Sequence, residues 1–514
     1  MRTATRAIAA RSALLALAVL ILITALAAGP SSAQKYLPVS DFSRAVAIPE
    51  PMKLKWGPDK AFQPTSTTAL AVPAGASEEV RQMAAELKAT MKGLYGIDCQ
   101  LMFTDLIPEK NVIVLGTLRD STALKGFLPG LSRGQFGRYP DQGYALSVTP
   151  DRVVLIGGEA EGLKYGVQIL LQMITPDSRT LVRVVPSIEI VDFPAVEMRG
   201  LLLPFGSYRQ TSQMASIREY INVAQALHMN TLMLQVDNAT VFDSAPGMAR
   251  PGATPKDTLR AVLQYAREAG LEVIPLVYTL SRQTSLLCTA YPSLCIDKDT
   301  YDPSNPKLYE RLFGILDEVI DVFQPRYMHI GHNDVRALAR MQNADAQRLF
   351  LGDVMKIYEH LKGKGVGTMM WSDMLIRAQD CPGQDNCRGL IAGVHTVLDS
   401  LPRDIVMVDA HYKQWTPDYP SMDYLLSRGF TVLGCVTGDT LTVNSFSKYA
   451  AERDGKVMGM VVALWDWSRY AGLHTPTTLK RIMWRGAEAF WRGGIPPEDP
   501  TAQNMPEAFR NNRY

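Results

Sequence analysis

Hydrophobic positions along the chain follow two different rhythms, which meet near residue 192. Before that point short apolar runs and helical periods are mixed. Ser77 is placed to cap a helix over residues 78–95, which Gly96 would stop. Residues 112–115 form a continuous apolar run of the buried-strand type, ended by Gly116. Two further runs, 144–148 and 153–156, flank Thr149-Pro150-Asp151 and predict a hairpin, with a helix following over 161–174. The pattern predicts a compact α+β domain over residues 34–191 that shows no obvious catalytic group.

From residue 196 the rhythm becomes strand then helix, repeatedly. Predicted strands cover 198–203, 231–235, 272–278, 327–330, 367–371, 405–408, 431–436 and 458–464. Helical periods separate them at 212–227, 255–269, 306–323, 344–362, 422–427 and 445–452, and a last one covers 477–491. Eight strands alternating with helices predict an α/β fold of the (β/α)8 TIM-barrel type over residues 192–495. A doubly wound sheet is the competing arrangement, but no Gly-rich phosphate loop follows the first strand. The Pro-containing tail 496–514 is expected to be poorly ordered.

The 514 residues are 47% hydrophobic and 20% charged, a globular composition that excludes a disordered, collagen-like or coiled-coil protein. Fifty-three Lys and Arg balance 51 Asp and Glu, giving +2. That balance offers no electrostatic basis for binding nucleic acid. Arg2, Arg6 and Arg11 precede an apolar run over 13–28, after which come Gly29-Pro30 and the small residues Ser31, Ser32 and Ala33. This is the pattern of a secretory signal peptide cut after Ala33, with a retained single-pass anchor as the alternative. Loss of the three arginines leaves the chain at −1. The expected location is secreted or periplasmic, with no membrane span after cleavage. In that compartment Cys288 with Cys295, and Cys381 with Cys387, are spaced for local disulfides, while Cys99 and Cys435 read as buried single thiols.

In a (β/α)8 barrel the chemistry lies at the C-terminal ends of the strands. The second predicted strand ends in Asp237-Asn238, and the fourth in His329-Ile330-Gly331-His332-Asn333-Asp334. The fifth ends in Trp371-Ser372-Asp373, the sixth in Asp409-Ala410-His411-Tyr412 and the eighth in Trp465-Asp466-Trp467. Rings beside carboxylates suit a sugar, whose C–H faces stack on aromatic side chains while its hydroxyls meet acids. His-Ile-Gly-His is a string also found in the ATP site of class I aminoacyl-tRNA synthetases. Here it follows a fourth strand with no lysine-rich partner loop, and it lacks a third ligand for a metal. No metal or organic cofactor is expected.

The segment from Gly143-Tyr144 through Gly162, Tyr165-Gly166, Gln168 and Gln172 resembles the N-terminal domain of family 20 glycoside hydrolases, the β-N-acetylhexosaminidases. Asp192-Phe193-Pro194 with Arg199-Gly200 is similar to the start of their barrel, and Ile274-Pro275, Asn305-Pro306 and Trp371 with Asp373 fit too. The family's His-x-Gly-x-Asp-Glu motif reads His329, Gly331, Asn333, Asp334. The resemblance implies a retaining, substrate-assisted hydrolysis of terminal N-acetylhexosamine-like residues. It assigns Asp334 as general acid and Asn333 as orienter of the 2-acetamido group. Trp371, Asp373, Tyr412, Trp465, Asp237 and His329 are then the substrate-binding set.

The departures from the motif are chemical ones. Asp is one methylene shorter than Glu, and neutral Asn cannot stabilise a cationic intermediate as a carboxylate does. Pro204-Phe205 replaces the sugar-binding pair after the first strand, leaving Arg209 as a displaced candidate. Ser281-Arg282-Gln283 stands where many relatives carry His, and Trp465-Asp466-Trp467 where they carry Trp-x-Glu. Two readings follow: a glycosidase acting on an amino-sugar glycan, or an impaired relative that binds envelope carbohydrate. A variant of the first pairs Asp334 with Asp439 as nucleophile, against the plain reading of Asp439 as a turn residue.

Overall fold

The computed structural model describes residues 47–495, apart from 125, 178–179, 205–211, 383–386, 390, 414–416, 454–455 and 466–476. The expected leader, Arg209, Asp466, Trp467 and the tail 496–514 lie outside the described residues.

The N-terminal domain is a mixed sheet carrying helices. Its strands run in the order Lys53–Phe62, Arg183–Asp192, Tyr144–Val148, Arg152–Gly157, Val112–Thr117, Ala69–Val72 and Gln100–Phe103. Helix Glu78–Tyr95 begins where the Ser77 hydroxyl accepts from the Val80 N–H and stops at left-handed Gly96, whose φ is +70°. The Tyr144–Val148 and Arg152–Gly157 hairpin lies beside helix Ala160–Met173. Gly162 is required there, because a Cβ would overlap the Gly143 carbonyl oxygen.

Eight parallel strands close the second domain: β1 (Met198–Pro204), β2 (Thr231–Val236), β3 (Glu272–Thr279), β4 (Tyr327–Gly331), β5 (Gly367–Trp371), β6 (Val406–Ala410), β7 (Thr431–Val436) and β8 (Val457–Ala463). Closure comes from β8 pairing with β1, Gly459 opposite Met198. The strands are mostly apolar because their faces are covered on both sides, by the barrel interior and by the helices. This is the TIM barrel, and the closed ring excludes the doubly wound sheet.

The helix predicted over 445–452 starts five residues earlier, spanning Thr440–Ala451. Asp439 is its cap, with Oδ1 accepting from the Thr442 N–H at 2.9 Å and the Thr442 hydroxyl at 2.7 Å. That carboxylate is occupied as a structural acceptor and does not line the cavity described below. Between β5 and β6 the described residues carry 3-10 turns, the longest over Ile391–Ser400, in place of an α-helix.

Arg199 on β1 joins the two domains. Fully buried, it donates to the His228 carbonyl at 2.9 Å, to Gln142 Oε1 at 2.6 Å and to the Tyr165 hydroxyl at 2.9 Å. Its guanidinium also lies 4.9 Å from the Trp491 ring centroid. Next to it Asp192 accepts from the Tyr144 hydroxyl and Trp491 Nε1, and burial pushes its carboxyl up to about 6. Disulfides join Cys288 to Cys295 and Cys381 to Cys387, in the loops after β3 and β5, while Cys99 and Cys435 are buried free thiols.

Candidate active site

A cavity of about 750 Å³ opens at the C-terminal mouth of the barrel. It brings together Asp237, Asn333, Asp334, Trp371, Asp373, Tyr412 and Trp465. One wall is aromatic. Trp371 and Trp465 have ring centroids 6.2 Å apart, and Trp465 meets Tyr412 edge-on at 6.3 Å. His329 is not part of the lining: it is fully buried behind the wall, 4.6 Å from the Trp371 ring. Its Nδ1 accepts from the Gly331 N–H at 3.0 Å, and burial depresses the imidazole to about 3, with His332 adding to the effect. It is a neutral support for Trp371.

The loop after β4 is sharply bent, with Gly331, His332 and Asp334 at φ +77°, +62° and +54°. His332 holds this shape from below. Its ring lies 2.7 Å from the Thr279 hydroxyl and 3.0 Å from Asp353, a carboxylate that also receives the Tyr301 and Tyr309 hydroxyls. Ser281 donates to the Asn333 carbonyl. The second histidine of the string is thus a buried brace, and among the described residues no group of His, Cys, Asp or Glu is arranged to hold a metal.

Three of the four carboxyl groups lining the cavity have different surroundings. Asp334 is 15% exposed and faces three guanidiniums: Arg388 at 2.6 Å, Arg336 at 3.3 Å and Arg282 at 3.6 Å. Asp237 accepts from the Ala239 N–H at 2.9 Å and from Gln235 at 3.4 Å, and burial raises it to about 7. Asp373 uses Oδ2 to accept from the Asp334 N–H at 3.3 Å, while its Oδ1 is enclosed without a partner in the protein. Burial raises this carboxyl to about 7 as well, against the lowering pull of that backbone N–H. Asn333 Oδ1 is likewise enclosed and unpartnered.

The lining also contains Tyr278, Arg250 and Arg388, which are outside the residues expected from the sequence. Tyr278 carried a signal, as the last residue of the third predicted strand. The two arginines come from irregular stretches after β2 and β5, where nothing in the local pattern marks a side chain as facing the mouth.

Residues 46–193 match the family model described as glycosyl hydrolase family 20, domain 2. A β-hexosaminidase of Porphyromonas gingivalis is 24% identical over 340 residues, which is 59% of this chain and 41% of that one. The β-hexosaminidase subunit beta of Entamoeba histolytica is 23% identical over 221 residues, 38% of each chain. The chain therefore spans about two fifths of the length of these relatives. In fold, a β-N-acetylhexosaminidase of Bacteroides fragilis superposes with a TM-score of 0.64 at 18% identity, covering 88% of this chain and 92% of that one. Residues 46–193 thus carry a family 20 glycoside hydrolase domain, and the chain as a whole has the fold of the family's β-hexosaminidases.

The sequence resemblance sets Asn333-Asp334 against the Asp-Glu pair of the family motif. The acid implied for Asp334 meets an obstacle in the geometry. Its oxygens face guanidinium groups, which are donors without a lone pair, so a proton on this carboxyl would be aimed at other N–H groups. Asp373, beside it, has one oxygen that no protein group engages.

Proposed function

We propose that this chain is a glycoside hydrolase of β-hexosaminidase type that removes a terminal N-acylated amino sugar, acting outside the cytoplasm after its leader is cut. What carries the reading is one aromatic-walled cup in which Asn333 Oδ1 and Asp373 Oδ1 both lack partners in the protein. Enclosed polar atoms in that state are costly unless something else satisfies them. A 2-acylamino sugar has matching groups: an amide N–H for Asn333 and a glycosidic oxygen able to take a proton from Asp373.

In the mechanism proposed, the sugar stacks on Trp371 and Trp465, with Tyr412 closing the edge. Asn333 accepts the amide N–H and aligns the acyl oxygen below the anomeric carbon. That oxygen attacks, the glycosidic C–O bond breaks, and the leaving oxygen takes the Asp373 proton. Water then opens the oxazolinium ring, with Asp373 taking back a proton, so the configuration is retained. Asp334, fixed by its arginines, offers its N–H to Asp373 and acts as a positioning residue.

The guanidiniums around Asp334 also favour a second reading, a carbohydrate-binding relative without turnover. An aryl β-glycoside panel with wild type, Asp373→Asn and Asp334→Ala tests both. Turnover lost in Asp373→Asn, with a measurable part kept in Asp334→Ala, supports the roles above. The reverse pattern gives the acid role to Asp334. Sugar binding by the wild type with no turnover supports the binding protein.

A further inference from the structure

We infer that the sugar taken by this cup carries an oxyanion, a carboxylate or a sulfate, which docks on Arg250. The inference rests on the hydrolase reading and narrows its substrate to acidic amino sugars.

Arg250 lies in the stretch after β2, its backbone N–H donating to the Asn238 carbonyl at 2.9 Å, and its side chain lines the cavity. Nε and Nη2 are both enclosed and have no partner in the protein. These two nitrogens form the side edge of the guanidinium, whose parallel N–H bonds match two oxygens of one carboxylate or sulfate. Among the described residues no carboxylate lies within ion-pair distance of this arginine.

The other cationic groups at the mouth differ in this respect. Arg388 and Arg282 are directed to Asp334, at 2.6 Å and 3.6 Å, so their charge has an answering anion. Asp237 is the carboxyl whose field reaches Arg250, but its oxygens are given to Ala239 and Gln235. Burial raises Asp237 to about 7, so below neutrality it holds a proton and carries less than a full charge. An unanswered guanidinium fork in an aromatic-walled cavity is a selector for an anionic substituent, since leaving that charge unpaired penalises the neutral sugar.

The test compares three aryl β-glycosides: that of N-acetylglucosamine, its 3-O-carboxyethyl derivative and its 6-O-sulfo derivative. The full chain is assayed at low ionic strength and again at 0.5 M NaCl. At least one acidic glycoside is expected to exceed the neutral one in kcat/KM by tenfold or more. That preference shrinks in salt, and Arg250→Met lowers it at least tenfold while Arg250→Lys restores part of it. The carboxyethyl and sulfo arms separate the two sources of the oxyanion. Equal rates for all three sugars, or a preference unmoved in Arg250→Met, overturn the inference while leaving the hydrolase reading intact. If no glycoside is turned over, the hydrolase reading fails. Calorimetry of the three free sugars then decides: tenfold tighter binding of an acidic sugar sustains the charge selection, and equal or absent binding overturns it.

Discussion

Replacing Asp373 with Asn separates its stability from its chemistry. Burial moves this carboxyl from 3.8 to about 7, so ionising it in the folded site costs roughly 4 kcal/mol more than in water, at about 1.36 kcal/mol per pKa unit. Between pH 4 and 7 the unfolded chain has lost this proton and the folded chain still holds it. Stability contributed by the group is therefore complete below about pH 4. It declines as pH rises through 7 and is then level. Asn imitates the protonated acid, can keep the bond from the Asp334 N–H, and never ionises. Asp373→Asn should melt higher than wild type at pH 8, by up to roughly 4 kcal/mol in stability, and show little difference at pH 4. In the same protein kcat/KM should fall about 10²–10⁴-fold, because the proton donor is gone. The wild-type rate should decline about tenfold per pH unit above pH 7. Melting curves across pH and initial rates on an aryl N-acetylhexosaminide measure both effects. A variant that melts lower at pH 8, or that keeps activity within a few-fold, refutes the placement of a buried, proton-holding acid at this position.

Other substitutions probe the rest of the site and the frame. Asn333→Leu should lower kcat/KM on N-acetyl glycosides about 10–100-fold, the value of roughly 1–3 kcal/mol for one enclosed hydrogen bond, and affect 2-hydroxy glycosides far less. Equal losses on both sugars would show that Asn333 does not read the amide. Arg199→Met should destabilise the chain by more than about 3 kcal/mol in urea, since four buried acceptors lose a charged donor at the domain junction. A loss below about 1 kcal/mol would mean that Arg199 adds little to a junction held by the Asp192–Trp491 bond and apolar contact.

The barrel was legible because its strands are short apolar runs separated by strongly periodic helices. All eight predicted strands fall within a residue or two of those observed. The edges of the N-terminal sheet were not. Lys53–Phe62 reads KLKWGPDKAF, with charges, Gly and Pro where alternation would mark a strand, and its register shifts between Trp56 and Ala61. Tertiary pairing with Arg183–Asp192 makes it a strand, and no local pattern reports that. At the mouth the strand-end rule reached the aromatic wall, because those residues are fixed by the strands that carry them. It did not reach the charges. Arg388 stands 15 residues beyond Asp373, just past Cys387, and meets Asp334 only because the long β5 loop folds back over the barrel end.

Under the proposed function, this difference lets a family 20 frame carry altered chemistry. Frame and mouth depend on separate residues. Asp192, Arg199 and Trp491 set the domain junction from the N-terminal ends of the strands, while Gly331 and His332 set the bend after β4. The bend relies on Thr279, Asp353, Tyr301 and Tyr309 beneath it, none of which lines the cavity. Positions 333 and 334 are therefore presented at the same place whatever acid or amide they carry. Once Arg282 and Arg388 converge on position 334, the oxygens of an acid there are turned to guanidinium N–H groups. The next buried carboxyl, Asp373, lies within hydrogen-bonding reach of the same backbone and is desolvated by the same wall. Moving a proton from one strand end to its neighbour requires no change in the barrel, only in which carboxylate the arginines neutralise.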